Sequence, residues 1–447
     1  MAGQSLQRLL GKGFSIAACV GLVIGLGIMR TPGEIALVFN DPVSYMALWI
    51  GCGAFVLVSL LVVAELIAMT PRSGGLYAMV AHAYGRYPGF LIGWTDWVAN
   101  CASVALKAVV LLEYFAMLVP SVAPHQTVIA LLVTTSFAIL QLGGTQLGGG
   151  IQKFASFGIG LIMIALAAAL YYGFFVNGGA VAAPEEYRAV ASPGFAAVGL
   201  VIAAVVYTYD GWYAASYFGE EVKSGGRAVA MGSIQGALII IALYLTLNLA
   251  IVLSVPLSAL AGHDLALAGA LDLVFGAGTG TVIIVAAVFI LLAHHNLQYM
   301  IVSRILYSLS TDGLGTRRAT SVTDKGTPAG AVILSWVMIV LLIVVGHFEF
   351  LLNLVAILFM VMYVALIAGV FRLRKQEPDA ERPFRAWGFP ATGIICGLGW
   401  TAIALFVGMT NPTSALSGLV LTLVSWPVYR WLKRRRHLDE NIATQSP

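Results

Sequence analysis

Two short runs combine peptide and side-chain groups able to hold a small charged solute with residues that interrupt helices. The first is Val23-Ile24-Gly25-Leu26-Gly27-Ile28, followed by Arg30-Thr31-Pro32-Gly33; the second is Tyr207-Thr208-Tyr209-Asp210-Gly211-Trp212. They break the apolar stretches 14–39 and 195–221. Inside a bilayer, freed peptide groups are tolerated where they line a cavity enclosed by protein. Glycine lets the chain leave helical geometry, and Pro32 suits the first turn of a new half-helix. A half-helix beginning near Gly27 points the free amides of Leu26, Gly27 and Ile28, and a positive dipole end, at a carboxylate. Carbonyls left over at Val23, Ile24 and Tyr207 to Asp210 suit an ammonium. The two runs therefore predict a site for a zwitterion. A glycine pair alone serves close helix packing equally well; Arg30-Thr31-Pro32-Gly33 and the second break favour the site.

Further polar residues stand inside apolar stretches. Lys107 lies well within one, where a charge costs at least about 2.5 to 3.5 kcal/mol unless water or a partner relieves it. Glu113, six residues on, is on a different helical face, so the partner is expected on another span. His294 and His295 sit mid-span, able to shuttle protons near neutral pH or to pack as neutral rings. Adjacent helical residues diverge by about 100 degrees, so the two do not share a metal ion. Asp210 is either a solute contact or a cap for the next half-helix. Glu65 and Glu220 to Lys223 lie near span ends, as salt-bridge gates or solvated charges, and Asp96 and Glu34 are ambiguous. No nucleophile elbow, zinc motif or phosphate loop accompanies them, so neither an enzyme nor a cofactor is indicated. Cys19, Cys52, Cys101 and Cys396 all fall in apolar stretches, with no disulfide framework and no metal spacing.

The elements that must position these groups are transmembrane helices. The 447 residues are 60% hydrophobic and 10% charged, against roughly 25% charged in soluble domains. Twelve stretches near or above the roughly 20 residues needed to cross a bilayer can be marked. They are 14–39, 44–69, 88–118, 126–142, 153–176, 195–221, 228–254, 275–309, 329–346, 350–371, 389–409 and 413–431. With the amino terminus inside, nineteen Lys and Arg fall on the cytoplasmic side and only Arg188 on the other, which predicts cytoplasmic termini. The basic run Lys433 to Arg436 reads as a flank of the last span, not a nucleic-acid patch. The apolar run after Arg8 and Lys12 lacks a small-residue cleavage site and reads as a retained span. Residues 14–176 and 195–371 form two five-span groups, each headed by a broken helix, and an odd count inverts the second. Two more spans cover 389–431, and the whole is one membrane domain over 1–447.

In sequence order, the motifs Gly25-Leu26-Gly27-Ile28, Ala64-Glu65-Leu66, Pro71-Arg72-Ser73-Gly74-Gly75-Leu76-Tyr77, Tyr84-Gly85 and Gly93-Trp94 lead to Tyr207-Thr208-Tyr209-Asp210-Gly211-Trp212. Beyond these stand Glu220-Glu221-Val222-Lys223, Asn296, Ser303-Arg304 and Arg382-Pro383-Phe384-Arg385. Together they resemble an amino acid permease of the amino acid, polyamine and organocation transporter superfamily, and most of all its L-type branch and bacterial exchangers. The resemblance implies a LeuT-like fold of twelve spans, a 5+5 inverted repeat with discontinuous first and sixth spans plus two more. It implies that Gly25, Leu26 and Gly27 meet a substrate carboxylate, that carbonyls of Val23, Ile24, Tyr207 and Asp210 face its ammonium, and that Tyr207 closes over it. Ser303 joins Lys107, His294, His295, Glu65 and Glu220 as coupling or gating candidates.

Three departures from the family pattern stand out. Leu26 replaces a usual Ser, which disfavours bulky substrates. No lysine stands near Ile159 or Gly160, where the family commonly carries one, and Lys153 is roughly two turns away. Lys107 is a candidate replacement for that charge. Val119 to Thr127 lacks the Cys that heteromeric relatives use, so no disulfide-linked heavy chain is expected. The expectation is a carrier of small or neutral amino acids in the plasma membrane, a monomer or weak homo-oligomer, working by exchange or proton coupling. A polyamine or other amine is the alternative solute; it would waste the Gly27 amides and want more acid than Asp210 and Glu34 supply.

Overall fold

The computed structural model describes residues 6–182, 194–263, 265–345 and 348–445, with no side chain described at 346–358 or beyond 435. Arg188 lies outside the described residues. The described chain is helical, and its first apolar stretch forms α1 (Lys12–Val23) and α2 (Gly27–Ala36), bent by 45° at the intervening residues. Next come α3 (Pro42–Met69), α4 (Leu76–Tyr84), α5 (Arg86–Leu118), α6 (Gln126–Leu142) and α7 (Thr145–Val176). Asp41 caps α3, accepting from the Ser44 amide at 2.8 Å, and Pro42 fits its first turn. Gly85, at φ +91°, turns the chain between α4 and α5, and Gly144, at φ +129°, does so before α7.

The second broken stretch holds α8 (Phe195–Thr208) and continues through turns and a single 3-10 turn, Ala214–Tyr217. Then come α9 (Gly225–Ser254), α10 (Ala266–Phe275), α11 (Thr281–Thr311) and α12 (Ala329–Val345). The chain closes with α13 (Phe348–Gln376), α14 (Ala391–Thr410) and α15 (Pro412–Gln445). Among the described residues seven helices are long and apolar enough to cross a membrane, or eight when α1 and α2 count as one span.

Several expected details differ. Pro32 lies in the second turn of α2, not the first, because that helix already begins at Gly27. Past Thr208 the second broken stretch never resumes as an α-helix, since its backbone is taken up by other partners. The Gly74 amide donates to the Tyr217 carbonyl at 3.3 Å, and Leu10 pairs with Val222 through Leu10 N to Glu221 O at 2.9 Å and Lys223 N to Leu10 O at 3.0 Å. Irregular backbone at this depth survives because these loops satisfy it. The span expected over 275–309 starts only at Thr281; the residues before it form α10 and a glycine-rich turn.

Polar side chains join the helices where the apolar effect cannot, since lipid is as apolar as leucine. The hub is Asn296 on α11. It accepts from Gln141 of α6 at 2.9 Å and donates to the Gln152 side chain and Gly148 carbonyl of α7, both at 3.0 Å. Around it, α1 packs against α7, α9 and α11, while α2 packs on α8. Both breaks are thereby brought to one place.

Candidate substrate site

At the first break α1 ends at Val23 and α2 begins at Gly27. The amides of Leu26, Gly27 and Ile28 make no backbone hydrogen bond among the described residues, as a half-helix amino end leaves them. The second break faces it. Thr31 of α2 and Thr208 of α8 share a hydroxyl hydrogen bond of 2.8 Å. A Cβ on Gly27 would meet the Thr208 hydroxyl at 2.8 Å, so only glycine allows this approach. Gly211, at φ +109°, lies against Leu22.

Tyr244 of α9 is the tie that sequence reading missed. Its hydroxyl lies 3.1 Å from the Val23 carbonyl and 3.3 Å from the Thr208 carbonyl, so one group spans both breaks. The Gly25 amide also approaches it. Trp49 and Tyr209 pack around that ring and against each other, at 5.1 to 5.8 Å between ring centres, and the Tyr209 hydroxyl donates to the Trp49 carbonyl.

The expected ammonium acceptors are therefore only partly available. The Val23 carbonyl receives Tyr244, and the Tyr207 carbonyl receives the Asp210 amide at 3.0 Å within a turn. The Ile24 carbonyl receives no backbone donor among the described residues, and the His294 ring faces it. Leu26, Asp210 and Gly27 are partly exposed, whereas Ile24, Ile28, Thr208, Tyr209, Gly211 and Trp212 are buried. Tyr207 keeps 47% of its surface, an aromatic left uncovered beside Asp210.

Asp210 accepts from the Tyr363 hydroxyl of α13. Tyr363 also stacks on Trp212, with ring centres 5.2 Å apart. Lys107 donates to the Gln298 side chain at 3.2 Å, and Gln298 donates to Ser103 at 3.0 Å. Lys107 lies within Coulombic reach of Asp210, His294 and His295. Its hydrogen bond to Gln298 turns it toward α11. Ile159 on α7 is fully buried and Lys153 is exposed. His294 is 3% exposed, and a Cβ on Gly25 would meet its ring at 2.8 Å. Neither of its ring nitrogens makes a well-formed hydrogen bond. His295 instead bonds the Leu291 carbonyl through Nδ1 and packs on Phe137.

The other candidates hold the ends of the bundle together. Glu65 pairs with Arg374 at 2.6 Å and Arg382 at 3.1 Å, and accepts from the Ala386 amide. Arg382 also donates to four carbonyls at the end of α13 and just beyond it, those of Leu373, Glu377, Pro378 and Ala380. Glu220 lies in a turn near the Ser73 amide and Arg72. Its neighbour Glu221 makes the buried ion pair, bidentate with Arg304 at 2.9 Å, both side chains at most 1% exposed. Ser303 donates to the Met300 carbonyl and accepts from Arg304, which places it as a support of that pair. Asp96 accepts from Asn100 and from the Tyr217 hydroxyl. Glu34 pairs with Arg30 at 2.9 Å on an exposed face. The four cysteines are buried and free.

Known proteins bear on this geometry. The family model described as "Amino acid permease" matches residues 14–426. The serine/threonine exchanger SteT of Bacillus subtilis is 22% identical, over 96% of this chain and 98% of its own. The mouse b(0,+)-type amino acid transporter 1 is 23% identical over 85% and 79% of the two chains, and the branched-chain amino acid permease BcaP of Lactococcus lactis 24% over 90% of each. Among solved structures, Mhp1, a nucleobase-cation-symport-1 family transporter in a closed conformation, superposes with a TM-score of 0.54 at 16% identity over 97% of this chain and 96% of that one. That likeness shows the LeuT-like fold. With two interrupted stretches facing each other inside a multi-pass bundle, the chain belongs to the amino acid permease family and is a transporter of amino acids, not an enzyme.

Proposed function

We propose that this protein is a secondary active carrier of small or neutral amino acids, working by exchange or proton coupling. Its substrate lies between the two breaks. The carboxylate takes the amides of Leu26, Gly27 and Ile28, and the ammonium turns toward the Ile24 carbonyl and the second break. The observation that carries this reading is the set of three amides with no backbone partner among the described residues, held against α8 by the Thr31–Thr208 bond. The names of SteT and BcaP specify serine, threonine and branched-chain amino acids for those proteins, all uncharged side chains. An amine without a carboxylate leaves the three amides unused, and Lys107 opposes Asp210 as a site for extra positive charge.

The same reading includes twelve spans over one domain, termini in the cytoplasm and the plasma membrane as location, from the one-sided placement of Lys and Arg. Thermal-shift screening of the purified protein against the standard amino acids and cadaverine tests it. Small neutral amino acids are expected to stabilise the protein, and Gly27→Val, whose side chain pushes Thr208 away from α2, to abolish the shift. Stabilisation by cadaverine alone would refute the carboxylate site.

A further inference from the structure

We propose that the cavity between α4 and the ends of α3 and α11 is an anion site, built to take the phosphate monoester of a small molecule or of a lipid headgroup. None of its lining residues belongs to either break, so the inference does not depend on where the substrate sits. It occupies the end of the bundle proposed to face the cytoplasm.

The cavity measures about 670 Å³, within the range that holds small molecules. Its charged groups come from separate elements. Arg72 stands in the loop after α3, Arg86 opens α5, and Asp312 follows α11. Both arginines converge on one residue. Arg72 donates to an Asp312 carboxylate oxygen at 2.9 Å, and Arg86 donates to the Asp312 backbone carbonyl at 3.0 Å. The Tyr77 hydroxyl holds the other carboxylate oxygen at 2.6 Å. A guanidinium has five N–H groups, and each of these contacts uses one. Arg72 and Arg86 are both exposed and both line the cavity, so N–H groups remain for a further acceptor. His82, in the same wall, is already engaged: Nδ1 is 3.1 Å from the Thr70 hydroxyl and Nε2 3.4 Å from Glu377. Glu220 lies near Arg72 but outside the wall.

The wall thus sets two permanent positive charges against the single carboxylate of Asp312. That balance selects the ligand. The Arg72 side chain is 47% exposed and that of Asp312 30%, so water screens their pair and it contributes little. An incoming anion can therefore take Arg72 over, provided it offers more than Asp312 does. A carboxylate brings only one charge and two oxygens. A phosphate monoester brings about −1.5 to −2 charges at neutral pH and three acceptor oxygens. It can bridge both guanidiniums, each through a two-point fork, while Asp312 keeps the Tyr77 hydroxyl. A cation would meet both arginines and is rejected.

Calorimetric titration of the purified protein at constant ionic strength tests this, with adenosine monophosphate as the soluble probe and short-chain phosphatidic acid as the lipid probe. The wild type is expected to bind at least one of them. Binding of phosphatidic acid alone assigns the site to a lipid headgroup; binding of adenosine monophosphate assigns it to a soluble phosphate ester. Arg72→Gln and Arg86→Gln are each expected to weaken binding by about tenfold or more. Asp312→Asn, which removes the competing charge, is expected to tighten it. If a glutamine variant does not fold, the wild type and Asp312→Asn decide alone. The proposal is overturned if neither probe binds, or if the folded glutamine variants bind as the wild type does. Weaker binding by Asp312→Asn also overturns it, because that marks the three residues as a structural clasp.

Discussion

Removing the Tyr244 hydroxyl is the sharpest way to ask whether the two breaks act as one site. Tyr244→Phe keeps the ring packed against Trp49 and Tyr209 and deletes one oxygen. That oxygen lies 3.1 Å from the Val23 carbonyl and 3.3 Å from the Thr208 carbonyl. A hydroxyl has one proton, so the loss is one shared hydrogen bond with two carbonyls left short of a donor. Leaving such a buried group unsatisfied costs about 1–3 kcal/mol. If the bond holds both breaks toward a single ligand, binding must restore their alignment without it, and the amino acid Kd rises by roughly 5- to 150-fold. Binding of the amino acid identified by thermal shift, measured calorimetrically on wild type and variant in the same detergent, reads this directly. A correctly folded variant with a Kd within twofold of wild type would refute the idea that Tyr244 couples the breaks.

Three other outcomes are expected from the same contacts. Arg304→Met leaves the Glu221 carboxylate buried without its bidentate partner, and breaking such a pair costs about 3–5 kcal/mol; a large drop in apparent Tm is expected, and an unchanged Tm would contradict the account. Gly25→Val drives a side chain into the His294 ring, which a Cβ alone already meets at 2.8 Å, so substrate binding should be lost, whereas Gly150→Ala, in open space, should bind normally. The Ser44 amide holds the Asp41 carboxyl below its ordinary value of 3.8. Its stabilisation is therefore present above that value and lost as pH falls through the lower folded-state pKa. Apparent Tm measured from neutral pH into the acid range should fall less for Asp41→Asn than for wild type.

The first break is legible in the sequence because its signal is local. Gly25-Leu26-Gly27 permits the unwinding, and the amides that lose their partners are fixed by where the helix restarts. Pro32 misleads by one turn, since proline suits a first turn but does not mark which residue opens it. The second break is legible as an interruption only. The path of the chain beyond Thr208 depends on loop 71–75 and on Leu10, far away in sequence, which take up its backbone. The same limit hides the partners of the site. Tyr244, Gln298 and Tyr363 are visible as polar residues in apolar stretches, but which of them meets a break is a matter of packing between distant helices. Glu220 and Glu221 are adjacent in a turn, where helical periodicity assigns no face, so sequence does not tell the buried one from its neighbour. His294 and His295 do obey helical spacing, and they point apart as expected, one toward the break and one toward Phe137.

A cryo-EM structure of the protein with its stabilising amino acid bound tests the central claim most directly. The account predicts a carboxylate within hydrogen-bonding distance of the Leu26, Gly27 and Ile28 amides, with the ammonium at the Ile24 carbonyl and the second break. An amino acid seated elsewhere, or α1 and α2 joined as one straight helix around it, would contradict it.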